Sequence, residues 1–348
     1  MMHGTSSSDF PYAINDVEPE EFAELQKTFN TAFTDGYVRV GPKGYFLKSG
    51  YRKEAAKIYN MSLRPDDVWV VTFPKSGTTW VQEMVWMVAN DFDYETSKAV
   101  LLVNRFPFLE RKIIYNDKAQ KKFKEMTADK EENIKMYLSS EKSYLAADRP
   151  SPRFFKSHLP LSLLPPSLLA TSRVVYVARD PRDVAVSYYY HYKLFAFYGY
   201  FGNFKQFWES FVKGDVDYCS YFEHLKEVWG QRHHANLLIL FYEDLIKDLP
   251  GGIRRVARFL GKEPSEAQVR ALSEHLKFDN FKKNKSVNLE PLKEMGFEDM
   301  NVGKTVSFIR KGKAGGWREH FDEQMAAQAQ QWIDDNLRGT DLRFPGHD

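Results

Sequence analysis

The clearest pattern of hydrophobic and polar positions lies between Val68 and Asn90. It opens with a run that is almost entirely apolar or β-branched, VWVVTF. Such a run predicts a short strand buried on both faces, as in a parallel sheet. After Pro74 the apolar residues recur with the i, i+3, i+4, i+7 spacing of an amphipathic helix, at Val81, Met84, Val85 and Val88. The pattern therefore predicts a strand, a tight turn from Lys75 to Thr79 and a helix.

Similar apolar runs predict two more strands, at Val174 to Ala178 and Asn236 to Tyr242, and the segment RFFKS at Arg153 to Ser157 is also strand-like. Helical patterns follow the later strands, from Arg182 to Lys193, Ile253 to Leu260 and Ser265 to Leu276. Strands that alternate with helices indicate a parallel α/β architecture. We therefore expect one α/β domain, with a central, mostly parallel sheet flanked by helices and a P-loop-like strand, loop and helix.

The N-terminal part of the chain has weaker patterns. Residues 1–16 are polar and rich in serine, and we expect a flexible tail there, followed by the single domain over residues 17–348. Glu18 to Phe33 has a helical pattern. The Gly/Pro turn within Arg39 to Leu47 predicts two short extended pieces that pack on the edge of the main sheet.

The turn at Lys75–Thr79 predicts an anion site. A strand that leads through Gly77 into a helix aims free backbone N–H groups and the positive end of the helix dipole at one point, which suits phosphate or sulfate. The usual phosphate loop has an earlier Gly and places Lys after the second Gly, whereas Lys75 precedes the only Gly here. ATP or GTP chemistry is therefore less expected. A lysine in an ordinary surface turn is the structural alternative.

Two more candidate groups lie at the ends of predicted strands. Lys156 and His158 are two residues apart, so alternation along an extended segment points them to the same side, where they could act in catalysis. Arg179 follows the next strand and Ser187 lies two turns into the next helix, so both could reach a second anion. The alternative for Arg179 is a surface pair with Asp183.

Two later segments could also bind a ligand. Tyr242 ends the last strand, where an aromatic ring can pack in the core or stack on a nucleotide base. Arg310 to Trp317 combines three cations with three glycines, RKGKAGGW. Glycines allow close backbone approach and the cations supply charge, so this segment predicts a clamp for an anion.

Composition limits the classes of function. The 348 residues carry a net charge of +2 and are 43% hydrophobic, so the chain can fill a sizeable core but lacks the bulk basicity of nucleic-acid-binding proteins. Cys219 is the single cysteine, and the N-terminus has no apolar signal region, so we expect a cytoplasmic protein. No apolar run reaches the length of a membrane-spanning helix, and we expect no membrane partner.

Together the motifs closely resemble those of the cytosolic sulfotransferase family. They run in consistent order from about Pro42 to the C-terminus and comprise PKSGTTW, KSHLPLSLLP, VVYVARDPRDVAVSYY, LFYEDL and RKGKAGGW. Within the family the chain is most similar to insect members, including insect retinol dehydratase. The resemblance implies a cytoplasmic transferase of the kind used in detoxification. Its sulfonate donor would be 3'-phosphoadenosine 5'-phosphosulfate (PAPS) and its nucleotide product PAP, with no metal.

The resemblance also implies a role for each matching residue. His158 corresponds to the catalytic base, Lys75 would stabilise the bridging oxygen of the leaving group, and Lys156 would hold the transferring sulfonate. The donor's 5'-phosphosulfate would be cradled by Lys75, Ser76, Gly77, Thr78 and Thr79. Its 3'-phosphate would be bound by Arg179, Ser187, Arg310, Lys311 and Gly312. Its adenine would contact Trp80, Tyr242 and Phe278.

The acceptor is expected to be a small, lipophilic hydroxyl compound such as a phenol or another alcohol. Motif position puts an aromatic surface near the loop, formed by Phe73, Phe106, Phe108 and Tyr190. A retinol-dehydratase-like elimination of a sulfonated allylic alcohol is the alternative, although the intact Pro74-Lys75 pair favours simple transfer. A kinase or an inert nucleotide-binding protein is a third reading. In the kinase reading Asp180 could mimic a magnesium-binding acid, and the intact Lys75, Lys156 and His158 argue against an inert protein.

Several positions depart from the common vertebrate pattern. Leu276-Lys277-Phe278 replaces Thr-Ser-Phe, so only Phe278 is carried over at the adenine site. Arg318, Asp322, Glu323 and Ala327 occupy the family's dimer motif, which leaves the oligomeric state open. The charged stretch of residues 111–142 is either a solvated helix or loop, or a cover over the acceptor pocket.

Overall fold

Seven strands form two separate sheets in the computed structural model, which describes residues 10–30, 32, 34–114, 118, 121, 149–288 and 306–346. In chain order they are β1 (Ile14–Asp16), β2 (Tyr37–Val40), β3 (Tyr45–Lys48), β4 (Val68–Thr72), β5 (Phe154–Ser157), β6 (Arg173–Ala178) and β7 (Leu237–Phe241). The last four make a parallel sheet in the order β5-β4-β6-β7. The predicted single-domain α/β fold with a central parallel sheet is confirmed.

Helices cover both faces of this parallel sheet. The longer ones span Tyr51–Tyr59, Thr78–Ala89, Pro181–Leu194, Phe204–Lys213, Tyr221–Gly230, Leu249–Leu260, Glu266–Leu276 and Glu323–Leu337. Shorter α-helices span Pro19–Leu25, Tyr94–Ala99, Leu102–Arg105, Arg111–Ile114, Leu168–Thr171, Tyr242–Lys247 and Phe278–Lys283. In the described part of the chain, no helix combines the length and apolar character required to cross a bilayer.

Successive residues of β4 belong alternately to two hydrophobic clusters on opposite faces of the sheet. Trp69 and Val71 belong to one cluster, whereas Val68 and Val70 belong to the other. This is the period of two that a strand imposes on its side chains. All five strand residues are buried, as the continuous apolar run predicted. The carboxyl edge of the sheet is therefore a rigid platform for the loops that follow each strand.

The N-terminal region differs from its prediction in two ways. The short strands around the Gly/Pro turn pair with each other and with β1 in a separate antiparallel sheet, and not with the edge of the main sheet. Phe10 packs edge-on against Tyr12, Tyr51 and Tyr59, and β1 pairs with β2. The predicted tail is therefore wrong for residues 10–16, and its residues 1–9 lie outside the described residues. The predicted helix from Glu18 to Phe33 shortens to Pro19–Leu25.

Candidate active site

The turn after β4 has the conformation expected of an anion-binding loop. Gly77 caps the Thr78–Ala89 helix with φ +100°, a left-handed conformation that suits glycine. Lys75 also has positive φ, at 67°, which strains a residue with a side chain. The Ser76 hydroxyl is buried and has no hydrogen-bond partner among the described residues. These features leave a strained loop with an unsatisfied donor at the start of a helix.

His158 lies immediately after β5 and is buried at 8% exposure. Its Nδ1 is 2.8 Å from the Thr72 carbonyl oxygen, an atom that only accepts hydrogen bonds. We therefore assign the ring proton to Nδ1, which leaves Nε2 as the nitrogen able to take a proton. Burial, and then the Lys156 charge, hold the pKa of His158 well below its usual value. The imidazole is consequently neutral at physiological pH.

Lys75 and Lys156 bring two cations close to this imidazole. The Lys75 Nζ lies 4.5 Å from the centre of the Phe308 ring, and the Lys156 Nζ lies 4.3 Å from the centre of the Phe108 ring. Burial lowers the pKa of Lys75 to about 7, with further lowering by nearby cations. Burial lowers the pKa of Lys156 to about 8, although Glu110 opposes the shift. Desolvated cations of this kind favour an anionic ligand.

Arg179 connects the loop after β4 with the segment Arg310–Trp317, here called the clamp loop. Its guanidinium donates to the Lys75 carbonyl and to the Lys313 carbonyl, each at 3.0 Å. The same group lies 4.3 Å from the centre of the Tyr242 ring, and its buried Nε has no partner among the described residues. One side chain therefore ties together the two segments that were predicted to bind separate anions.

Asp183 holds the clamp loop by its backbone. The carboxylate is buried and accepts hydrogen bonds from the N–H groups of Gly315, at 2.6 Å, and Trp317, at 2.8 Å. The alternative of a surface pair with Arg179 is wrong, because the aspartate is 3% exposed and its hydrogen bonds go to this loop. Nearby Arg310 lies over the Tyr190 ring, 4.4 Å from its centre.

The residues predicted at the adenine border the same space. The Trp80 indole donates to the Leu276 carbonyl at 2.9 Å and meets the Tyr242 ring edge-on. Gly312, at φ +59°, lies against Phe278 so closely that an added Cβ would come within 2.2 Å of its ring. These contacts fix the orientation of three aromatic rings on one wall.

A cavity of about 550 Å³ brings the predicted groups together. Its lining includes Lys75, Gly77, Thr78, Thr79, Trp80, Lys156, His158, Arg179, Ser187, Tyr242, Phe278, Arg310, Lys311 and Gly312. Ser76 is absent from this lining because its side chain is buried beneath the loop. A cavity of this size and mixed polarity suits a nucleotide together with a small second ligand.

The aromatic residues predicted around the acceptor divide into two pairs. Phe108 lines the large cavity, and both Phe108 and Phe106 line an adjoining cavity of about 120 Å³. Phe73 lines neither cavity, because the alternation of β4 turns it into the core against Tyr188 and Tyr221. Tyr190 also lines neither cavity, since its ring faces Arg310. The predicted acceptor contacts of Phe73 and Tyr190 are therefore corrected.

The sequence patterns missed several side chains of the site. Glu110 is fully buried, and its carboxylate accepts the backbone N–H of His158. Burial raises the pKa of Glu110 to about 7. His191, Tyr198 and Tyr218 line the large cavity, although a histidine or tyrosine in an aromatic-rich segment gives no local signal of this. The charged stretch 111–142 lies outside the described residues, apart from Arg111–Ile114, Lys118 and Lys121.

Asp180, the acidic residue suggested for a kinase-like metal site, forms hydrogen bonds and an ion pair with Arg182. Asp180 caps the Pro181–Leu194 helix by accepting the Arg182 backbone N–H at 2.8 Å, and it pairs with the Arg182 guanidinium at 2.7 Å. Within the described ranges, no cluster of three or more His, Cys, Asp or Glu side chains could hold a metal ion. The absence of a metal requirement stays a prediction.

Known proteins resemble this chain in sequence and in structure. The sulfotransferase domain family matches residues 65–341. The luciferin sulfotransferase of Photinus pyralis is 32% identical over 325 residues, which are 92% of this chain and 85% of that protein. Structures of retinol dehydratase with retinol and PAP, and with androsterone and PAP, are 46% and 47% identical to this chain, with TM-scores of 0.89 and 0.88. Each covers 97% of this chain and 99% of its own. The chain therefore belongs to the cytosolic sulfotransferase family, whose members are enzymes that transfer sulfonate groups.

Proposed function

We propose that this enzyme transfers the sulfonate group of PAPS to the hydroxyl of a small, lipophilic acceptor, with His158 as general base. The observation that carries the proposal is the contact between His158 Nδ1 and the Thr72 carbonyl oxygen, from which we assign the ring proton to Nδ1. Its Nδ1–H is fixed on the Thr72 carbonyl at 2.8 Å, and its ring lines the large cavity. The free Nε2 is then available for the acceptor's proton, and the low pKa keeps it unprotonated.

The donor fits the polar groups around the cavity. Arg179 lines the cavity, and its Nε has no partner among the described residues, so this guanidinium is a donor suited to phosphate oxygens. Lys75 to Thr79 would hold the 5'-phosphosulfate, and Arg179, Ser187 and the clamp loop would hold the 3'-phosphate. Trp80, Tyr242 and Phe278 would contact the adenine. The bound donor supplies an electrophilic sulfur whose leaving group is a phosphate.

Three side chains would share the chemical step. His158 Nε2 takes the acceptor's hydroxyl proton as that oxygen forms its bond to sulfur. Lys75 stabilises charge on the oxygen between sulfur and the departing phosphate, while Lys156 holds the sulfonate oxygens. Preorganised charges in a partly buried site provide much of the rate enhancement in such reactions. Removal of the proton adds a factor of about 10² to 10⁴.

A second reaction is favoured by one specific comparison. The two retinol dehydratase structures are 46% and 47% identical to this chain and match its full length closely. In a retinol-dehydratase-like reaction, the sulfate ester first formed on an allylic alcohol would lose sulfate with the C–O bonding electrons and a proton from carbon. The product would then be a dehydrated hydrocarbon and not a sulfate ester. Analysis of the product separates the two reactions.

The test is acceptor-dependent release of PAP from PAPS in EDTA, with a panel of phenols, steroids and retinol. The wild type is compared with His158→Ala and with His233→Ala, which removes an exposed histidine outside the cavity. We expect release and a sulfated product from the wild type and from His233→Ala, with a loss of at least 10² in kcat for His158→Ala. Mass spectrometry identifies the product.

Other outcomes would change the assignment. A dehydrated product would support the elimination reaction, and wild-type activity in His158→Ala would remove His158 as the base. A requirement for Mg²⁺ would revive the kinase reading. Tight binding of PAP without release on any acceptor would contradict the transferase proposal for the compounds tested.

A further inference from the structure

His191 is a second histidine at the acceptor end of the site, and the reaction proposed above does not use it. It lies on the Pro181–Leu194 helix and lines both the large cavity and the adjoining one of about 120 Å³. Both cavities share aromatic walls there, including Phe108, Tyr198 and Phe308. An imidazole in such a wall is a polar group where the large cavity, of mixed polarity, meets the largely apolar adjoining cavity.

One nitrogen of this imidazole is unpaired. The Nε2 atom lies 3.3 Å from the Tyr198 hydroxyl, whereas the buried Nδ1 has no hydrogen-bond partner among the described residues. Leaving a buried polar atom unpaired costs free energy that a ligand's hydrogen bond can recover. In a neutral imidazole one nitrogen donates and the other accepts. Because the Tyr198 hydroxyl can take either role towards Nε2, Nδ1 can accept or donate a hydrogen bond to a ligand.

The orientation of His191 is fixed by its neighbours. Its ring packs between the rings of Phe195, at 4.8 Å between centres, and Tyr198, at 5.3 Å. Tyr198 in turn stacks on Tyr192, with ring centres 4.1 Å apart and planes inclined by 20°. The helix and this stack hold the imidazole in place, so a ligand would meet a preformed polar contact.

His191 is also close to the reacting groups. Its ring centre lies 6.0 Å from that of Phe308, the same ring over which the Lys75 Nζ is placed at 4.5 Å. Burial and the positive charges of Lys75 and Lys156 hold the pKa of His191 well below its usual value, so the ring is neutral. A neutral imidazole discriminates by hydrogen bonding, without attracting a charged acceptor.

We propose that His191 is a specificity-determining residue that binds a second oxygen of the acceptor through Nδ1. Preferred acceptors are then lipophilic molecules with two oxygen functions, one that reacts at His158 and one that bonds His191. This inference rests on the proposed sulfonate transfer, because it assumes that the acceptor occupies the shared aromatic wall. Rejection of an analogue that lacks the second oxygen follows, since it would leave Nδ1 unpaired.

The test compares 2-naphthol with its 2,3-, 2,6- and 2,7-dihydroxy analogues, which place a second hydroxyl at different distances. We expect the wild type to prefer at least one dihydroxy isomer about tenfold in kcat/KM. His191→Phe fills the same space without a hydrogen bond and should reduce that preference to about twofold or less. His191→Asn keeps an amide near the position of Nδ1 and should retain most of it. Tyr189→Phe, on the same helix but outside both cavities, should leave the ratio unchanged.

A binding measurement separates failure of this inference from failure of the proposed function. Quenching of tryptophan fluorescence in the presence of PAP gives the affinity ratio of the same compounds without turnover. If the enzyme sulfonates none of the naphthols, the proposed function fails for phenols, and loss of the binding preference in His191→Phe still supports the role of His191. A wild type with no preference for any dihydroxy isomer, or a preference equal in His191→Phe, overturns it.

Discussion

The Ser76 hydroxyl is a buried group whose removal tests how much an unpaired polar atom costs the fold. It is buried under the loop with no partner among the described residues. We expect Ser76→Ala to leave the melting temperature unchanged or slightly raised, because no protein hydrogen bond is lost. Because the hydroxyl does not line the cavity, the PAP dissociation constant should stay within about twofold of the wild type, with the backbone N–H groups of the loop holding the phosphate. Thermal unfolding and calorimetric titration with PAP measure the two effects.

Thr72→Val is the matched control for this prediction. The Thr72 hydroxyl is buried like that of Ser76, but it lies 2.7 Å from the Thr78 hydroxyl and 3.2 Å from the His158 Nδ1. Its loss should destabilise the fold by about 1 kcal/mol, the usual net value of a hydrogen bond. Equal melting temperatures for Thr72→Val and Ser76→Ala would show that the partners of the two hydroxyls do not matter.

For single residues, the sequence predicted which residue types belong to the site better than it predicted where their side chains point. Lys156 and His158 were placed correctly on one cavity, because both lie at the end of a strand whose alternation is regular. Phe73 and Tyr190 were placed wrongly from motif position alone. Phe73 shares the face of Trp69 and Val71, which is buried in the core. His191 could not be found, because its unpaired nitrogen depends on neighbours that fold around it.

The loop between β4 and the Thr78–Ala89 helix requires glycine at position 77, where a side chain would not fit. At φ +100° an added Cβ would lie 2.6 Å from the Tyr242 ring. Gly77→Ala should therefore destabilise the protein by about 2 to 4 kcal/mol, from left-handed backbone strain and overpacking together. Donor binding should fall as well, because Tyr242 would have to move from the cavity wall. Urea unfolding and PAP titration measure these losses.

Gly230→Ala is the control for Gly77→Ala, because the same substitution should there raise stability. Gly230 ends the Tyr221–Gly230 helix, and nothing lies within 4 Å of an added Cβ. Alanine is the better helix former there, so stability should rise by up to about 1 kcal/mol. If the two substitutions shifted the urea midpoint equally, the steric argument for Gly77 would fail.

The clamp loop is positioned by one carboxylate, and this contact can be removed. Asp183 accepts the Gly315 and Trp317 N–H groups, and such hydrogen bonds to a charged group contribute about 1.5 to 3 kcal/mol each. Asp183→Ala should therefore loosen the loop, raise the PAP dissociation constant at least tenfold and expose the loop to protease. Asp183→Asn keeps one acceptor and should have an intermediate effect.

Glu319→Gln is the control for the clamp loop. Glu319 pairs with Lys311 at the surface, and exposed pairs contribute little to stability. Proteolysis rates and PAP affinity should stay within about twofold of the wild type. A clamp loop as resistant to protease in Asp183→Ala as in Glu319→Gln would contradict the anchoring role of Asp183.

Among the secondary-structure elements, the sequence predicted those that a local hydrophobic pattern determines and missed a strand pairing between distant residues. Three of the four parallel strands were found because they are largely continuous apolar runs, and β5 was found from the strand-like sequence FFKS. Pro181 was placed correctly in the first turn of its helix. The separate β1-β2-β3 sheet was missed because β1, at one of its edges, is only three residues long and mostly polar, with the sequence IND. Its pairing with β2 is a non-local contact that the sequence of residues 14–16 does not show. The prediction of a tail failed there for this reason.

The charge of the site emerges only at the scale of the whole molecule. Net charge is +2, yet Lys75, Lys156, Arg179 and Arg310 meet around one cavity from four separate parts of the chain. The fold creates this cluster because the carboxyl ends of β4, β5 and β6 share one edge and Arg179 draws the clamp loop towards it. Burial lowers the pKa values of both lysines, and the nearby cations lower that of Lys75 further.

These pKa values predict that PAP affinity falls as pH rises from 7 to 9. The free protein loses the Lys75 charge above a pKa of about 7 and the Lys156 charge above about 8. An anionic ligand favours the protonated lysines, so binding above these values must take up protons and weakens by up to about tenfold per pH unit for each proton. Calorimetry in buffers of different ionisation enthalpy measures the uptake. Lys75→Arg stays charged throughout and should show a shallower pH dependence, whereas a dependence as steep as that of the wild type would assign it to another group.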